Sequence, residues 1–478
     1  MNAIGCTLVL TGAAAFGAAP APSQRVETIL QDDAALLYRS PAQVDRSLDR
    51  MARLGVDRVR ITASWRRLEP APGVYDRDAL HRLDRAVRGA RGHGMQVMID
   101  LGFYAPVWAV TRPAPNGQRN VWRPSAPAFG RFSRRMAQRY RGRVRLWTTW
   151  NEPNNWIFLQ PQSERGHSVS PGVYRRLHNA AYDQIKQVSG RNRVLIGGLA
   201  SRGSSTTGPR RGIAPLRFTR ELACVDDRLK PLRTRECRGF RPLRADGFSM
   251  HPYSRTTAPG AIDPTADRVQ IGELGKLTAL LRALRARGRL ARSLPLWLTE
   301  YGYDSDPPDP RGVSEPTRSR YAGQALFLAW RSREVRSFPQ FLLEDTPALG
   351  DFQTGLFTAR GRPKPGAVRA FTMPFTATAV RTLEGRGAVV AFGQVRPGRT
   401  AQGVVLQRRA TTRGRWRQVA CLATDGQGIY SAVLPDNGRG DYRAVWVGPS
   451  GRRASVAVAV GLPVPIPARP EDVLRRID

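Results

Sequence analysis

From Arg25 onward, short apolar runs alternate with amphipathic stretches of helical period, about eight times. Val26 to Leu30 is the first run. It is followed by a stretch that Ser40 can cap, with Pro41 in the first turn and Val44, Leu48, Met51 and Leu54 on one face before Gly55. Val56 to Ile61 leads through Trp65 to a second helix carrying Leu80, Leu83, Val87 and Ala90, stopped by Gly92 and Gly94. Met95 to Leu101 is the third run, before a long loop with Phe103, Tyr104, Trp108 and Trp122. The fourth, Val144 to Trp150, breaks abruptly into Asn151-Glu152-Pro153-Asn154, and its helix runs from about Pro171 to Val188. Arg193 to Leu199, Ala245 to His251, Leu294 to Glu300 and Phe338 to Leu343 complete the set. Helices follow through Leu274, Leu277, Leu281 and Leu284, through Tyr321, Ala325 and Leu328, and over the closing segment Gly361 to Phe371.

This alternation predicts an α/β fold, a parallel sheet closed as a (β/α)8 TIM barrel, which needs about 250 residues plus loop insertions. An open, doubly wound sheet would carry a glycine-rich turn after its first strand, and Leu30 to Ala34 contains no glycine. After Pro374 the helical period disappears. Runs at Ala388–Val395, Gln402–Arg409, Trp416–Ala423, Gly428–Leu434, Asp441–Val447 and Ala454–Val460 read as the strands of a small antiparallel β-sandwich. The chain thus divides into a signal peptide over 1–22, a barrel over 23–374, an accessory sandwich over 375–462 and a Pro-rich tail over 463–478. The signal is an uncharged Ala/Gly/Leu/Val run ending in Ala-Pro-Ala, and it implies a secreted or cell-surface protein. No later stretch has the roughly 18 apolar residues of a membrane span.

Cysteine usage fits export. Cys224 and Cys237 lie 13 residues apart in an irregular segment, where a disulfide would staple the loop, while Cys421 sits in an apolar strand and reads as core. The net charge of +38 comes almost wholly from arginine, because the lysines are Lys186, Lys230, Lys276 and Lys364 alone. These arginines are spread over every segment and form no zinc-finger, basic-zipper or RNA-recognition pattern, which argues against a dedicated nucleic-acid partner. They leave room for electrostatic contact with anionic cell-wall polymers, weakening as salt rises.

Functional groups of such a barrel project from the C-terminal ends of its strands. That rule selects Arg60, Asn151, Glu152, His251, Tyr253 and Glu300. Two glutamates on nearly opposed strands can face each other across a sugar bond, and the barrel is what brings them together. Trp150-Asn151-Glu152-Pro153-Asn154, His251-Pro252-Tyr253 and Thr299-Glu300-Tyr301-Gly302 resemble the strand-four, strand-six and strand-seven motifs of clan A glycoside hydrolases. The first is most similar to family 39 and the other two to family 5, and the resemblance covers roughly residues 26 to 372.

The resemblance implies retaining cleavage of β-glycosidic bonds by double displacement, with Glu152 as acid/base and Glu300 as nucleophile. It requires carboxyl groups about 5 to 5.5 Å apart, in environments that keep one protonated and the other ionised. Arg60 would hold Glu300 charged, Tyr253 would donate to it, Asn151 would contact the sugar 2-hydroxyl and His251 a substrate hydroxyl. Trp156 and Trp122 are the candidate sugar platforms, whereas Trp108 and Trp150 read as core. Strand eight lacks the Trp that floors the first sugar subsite in many relatives, which leaves the sugar open. The expected substrate is an oligo- or polysaccharide, handled by a monomer without cofactor or metal. The competing reading is a non-catalytic carbohydrate- or anionic-polymer-binding protein on a glycosidase-like barrel.

Overall fold

Eight parallel strands close on themselves in chain order: β1 (Glu27–Gln31), β2 (Arg58–Ser64), β3 (Gln96–Gly102), β4 (Leu146–Thr149), β5 (Arg193–Ala200), β6 (Gly247–His251), β7 (Leu296–Leu298) and β8 (Val335–Phe341). Closure is made by β8 on β1, in register from Glu27 opposite Ser337 to Gln31 opposite Phe341. The computed structural model describes residues 26–110, 120–204, 206–381, 387–398, 400–435, 439–448 and 451–460. The signal peptide read over 1–22 and the Pro-rich tail from 463 lie outside them.

Around the barrel run α1 (Pro41–Arg53), α2 (Arg77–Gly92), α3 (Ala126–Arg139), α4 (Ser170–Val188), α5 (Pro215–Leu222), α6 (Leu274–Ala286), α7 (Glu315–Arg331) and α8 (Pro365–Thr372). Local chemistry starts several of them. The Ser40 amide donates to Gln43 Oε1 at 3.1 Å in a capping box ahead of Pro41, and Asp76 accepts the Ala79 amide at 2.8 Å. Helices α3 and α5 were not expected from the pattern. In α3 the apolar face of Phe129, Phe132 and Met136 is interleaved with arginines and broken by Gly130; α5 is only two turns long within a loop. Gly130 has a packing reason, since a Cβ there would lie 3.2 Å from the Ala180 carbonyl oxygen of α4.

Strand alternation grades the barrel interior. Ile29, Met98, Leu146, Leu195 and Trp297 form a buried apolar cluster of their own, one from each of five strands. Two residues further along β1, β3, β4 and β7, on the same face, stand Gln31, Asp100, Thr148 and Thr299, all buried. The interior therefore turns from apolar to polar toward the C-terminal mouth.

The C-terminal segment forms two antiparallel sheets. One orders β9 (Phe375–Arg381), β10 (Gly387–Gln394) and β13 (Ile429–Pro435). The other orders β12 (Arg417–Ala423), β11 (Gly403–Arg409), β14 (Gly440–Gly448) and β15 (Gly451–Ala454), with β16 (Val458–Val460) also on β14. Strand β9 was not anticipated, and the single run expected at Ala454–Val460 divides into β15 and β16. Phe375, Val389, Leu406, Tyr442 and Trp446 pack between the sheets. The other face of the first sheet meets the barrel: Phe392 packs on Trp330 and Phe327 of α7, with ring centroids 4.7 and 5.2 Å apart. Cys224 and Cys237 are bonded. Cys421 corrects its expectation: it is half-buried on β12 and disulfide-bonded rather than a core thiol, because the apolar run that holds it faces partly to solvent.

Candidate active site

The fourth strand ends in backbone that L-residues seldom adopt. Trp150 and Glu152 have φ of 68° and 39°. The turn is nevertheless held on both sides, by the Trp150 amide donating to the Leu101 carbonyl at 2.8 Å and the Glu152 amide to the Gly198 carbonyl at 2.9 Å. The second bond depends on a bulge in β5, where Gly197 has φ 109° and a Cβ would lie 2.4 Å from the Ser249 carbonyl oxygen. The turn buries Trp150 in the core, its indole N–H donating to the Phe158 carbonyl, and aims Glu152 into the mouth.

Glu152, His251 and Glu300 converge there, each offering an atom within 4.8 Å of the others. His251 is fully buried. Its Nδ1 lies 3.1 Å from Glu152 Oε1 and 3.5 Å from Glu300 Oε2. Asn155 Nδ2 donates to Glu152 Oε2 at 3.0 Å, a contact not foreseen from the sequence. The Arg60 guanidinium pairs with Glu300 Oε1, and Tyr253 Oη donates to Glu300 Oε2 at 3.3 Å. Asn151 is turned toward Arg60, accepting from its Nη2 at 3.0 Å.

Beneath this layer lies a second set of polar residues. Asp100 is wholly buried, 3.2 Å from Arg60 Nη2 and bonded by the Thr148 hydroxyl; Gln31 also accepts from Arg60. Burial pushes the Asp100 carboxyl up to about 6, against the pull of Arg60. Burial disfavours the Arg60 charge, yet Asp100 and then Glu300 hold its pKa above the ordinary value. Burial, then the charges of Glu300 and Glu152, hold the Tyr253 hydroxyl well above its usual range, so it is a donor at any physiological pH. The sequence did carry a signal for Asp100, a lone acid inside the apolar run Met95–Leu101.

Glu152, His251 and Glu300 have the donor types of a metal site. The Arg60 guanidinium already supplies a positive partner to Glu300, on Oε1.

The expected aromatic platforms are less central. Trp156 is 40% exposed on the loop after β4, and Trp122 is half-buried where its backbone bridges Gln160. Neither joins the ring contacts around Tyr253. At the end of β8, Phe341 stands edge-on to Tyr253 at 6.3 Å and to Phe352 at 4.9 Å, and Phe352 is 47% exposed. This pair lines the wall that strand eight was expected to leave bare, and Phe352 was missed because it lies in a loop with no periodic pattern.

The sequence profile of Cellulase (glycosyl hydrolase family 5) matches residues 23–306. The fold is similar to that of a GH5_18 protein from Bifidobacterium longum subsp. longum in complex with Manb1-4GlcNAc, at 17% identity and a TM-score of 0.50 over 73% of this chain and 77% of that one. A GH5_18 protein from Streptomyces cattleya in complex with GlcNAc gives 16% identity and 0.49, over 73% and 79% of the two chains. A family 39 glycoside hydrolase from the gut symbiont Bacteroides cellulosilyticus gives 17% and 0.48, over 86% and 79%. No curated protein matches.

Proposed function

This chain belongs to glycosyl hydrolase family 5, the cellulase family, and from that premise we propose that it cleaves β-glycosidic bonds of an oligo- or polysaccharide with retention, Glu300 acting as nucleophile and Glu152 as acid/base. The observation that carries the reading is the approach of the two carboxylates, with oxygens within 4.8 Å of each other. Retaining pairs stand about 5 to 5.5 Å apart and inverting pairs about 6.5 to 9.5 Å, the extra space being needed for the attacking water.

The surroundings support this division of roles. Glu300 is paired with Arg60 and accepts from Tyr253, which fixes the carboxylate in place for attack on the anomeric carbon. Glu152 sits nearer the mouth, 14% exposed, and would protonate the leaving oxygen. In the second half-reaction Glu152 deprotonates water, which displaces Glu300 from the sugar and restores both groups. His251, between the two carboxylates, would hold their spacing. The Cys224–Cys237 disulfide suits an oxidising compartment, so export is part of the proposal.

A panel of aryl β-glycosides and polysaccharides tests it. Glu300→Ala and Glu152→Ala are each expected to lower kcat about 10²- to 10⁴-fold without loss of fold. A 2-fluoro glycoside should label Glu300, and proton NMR should show the product anomer first formed to be β. Undiminished turnover in either variant, or an inverted first product, would sink the proposal.

A further inference from the structure

On the outer side of the barrel, where α7 and α8 approach the sandwich, lies a cleft of about 400 Å³. Its walls carry Arg320 of α7, Arg369 of α8, Arg409 of β11, Arg443 of β14 and Trp416, with Ser455 at the junction after β15. Neither unit makes this cleft alone.

Its charge is unbalanced. Arg409 is paired with Asp441 at 2.7 Å. Among the described residues, Arg320, Arg369 and Arg443 have no carboxylate partner. Arg320 bonds the Thr317 hydroxyl at 3.0 Å, and Arg443 bonds Gln407 Oε1 at 2.9 Å through Nε, which leaves its terminal nitrogens unbonded. The Trp416 ring holds the sandwich side in place, with the guanidinium carbons of Arg443 and Arg409 at 4.2 and 4.6 Å from its centroid. Partial burial, and after it the neighbouring charges of Arg452 and Arg409, lower the pKa of Arg443, as expected where cations crowd without counter-charge.

We propose that this cleft binds an acidic oligosaccharide, its carboxylate or sulfate clamped by Arg320, Arg369 and Arg443. Guanidinium forks match both anions in bidentate geometry, and the Trp416 stack orders one of them before the ligand arrives. The volume is that of a small-ligand cleft, about 300 to 1,000 Å³, rather than a track for a nucleic-acid strand. The choice of a saccharide as carrier of the anion rests on the glycosidase reading of the barrel: an acidic glycan held here would keep a polymer on the chain that carries the catalytic mouth.

Calorimetric titration of the full chain tests the idea, with oligogalacturonate and a sulfated cello-oligosaccharide as probes and cellotetraose and inorganic phosphate as controls. At least one acidic oligosaccharide should bind at low ionic strength and weaken sharply near 0.5 M salt, where screening is strong. Arg369→Ala and Arg443→Ala should each weaken Kd about tenfold or more, as expected for a lost charge-assisted bond. Arg443→Lys should recover part of the loss, melting temperature should hold, and hydrolysis of a small neutral aryl glycoside should be unchanged. No binding of either acidic probe, affinity indifferent to both substitutions, or phosphate binding as tightly as the oligosaccharides would overturn the proposal. Turnover without acidic-glycan binding defeats this inference and leaves the proposed reaction standing; binding without turnover on any substrate does the reverse.

Discussion

Arg60 is the residue on which the charge balance of the mouth turns. It is 1% exposed, and it faces Glu300, Asp100, Asn151 and Gln31 at once. A buried cation is tolerable only because carboxylates surround it, and removing one partner leaves the rest uncompensated. Asp32, at the end of β1, shows the same tension in simpler form. Its carboxylate accepts the amides of Ala35, Leu343 and Glu344, tying β1 to the end of β8. Burial still pushes its pKa up from 3.8 to about 6. A pKa raised on folding contributes stability that is fully present below the unfolded value and lost as pH rises through the folded one. Asp32→Asn does not titrate in that window. The variant should therefore gain on the wild type by about 2 kcal/mol between pH 4 and pH 7. Denaturant unfolding at the two pH values measures this, and a stability difference that does not change with pH would contradict it.

At the scale of elements, the bulge in β5 is what positions the turn after β4. Gly197 keeps β5 against β6 with no room for a side chain, its amide donating to Tyr174 Oη at 2.8 Å, and Gly198 supplies the carbonyl that anchors Glu152. Gly197→Ala combines a positive φ with a collision on the Ser249 carbonyl. The expected cost is about 1 to 3 kcal/mol of stability. A misplacement of the Glu152 turn by about 1 Å would lower kcat about 10²-fold. Glycosidase kinetics beside a thermal melt would check both. Full activity in a destabilised variant would show that the bulge supports the fold without setting the carboxylate.

At the scale of the whole molecule, barrel and sandwich share an apolar seam. Phe392 is fully buried between Phe327, Trp330 and the rest of its sheet, and Val26 joins the same cluster beside β1. Phe392→Ala should cost about 3 to 5 kcal/mol, as for other buried aromatic truncations. Because the seam belongs to both units, calorimetry should record one transition moved to lower temperature. Two transitions with only one displaced would mean that the units unfold independently.

The alternating pattern of runs was enough to specify an eight-stranded barrel, because each strand buries both faces and each helix one, and those periods are written locally. Asn151-Glu152 and Thr299-Glu300 were legible for the same reason, being polar groups that interrupt apolar runs at strand ends. Helices α3 and α5, strand β9 and the bonded state of Cys421 were not legible, since arginines or short length hide the elements and no local pattern records whether a cysteine is bonded. What tertiary structure alone decided is which groups share a charge. Closure of the sheet brings Arg60 and Asp100 from neighbouring strands and Glu300 from far along the chain into one buried layer. The electrostatics of that layer depend on separations of a few ångströms, which no local pattern of residues encodes.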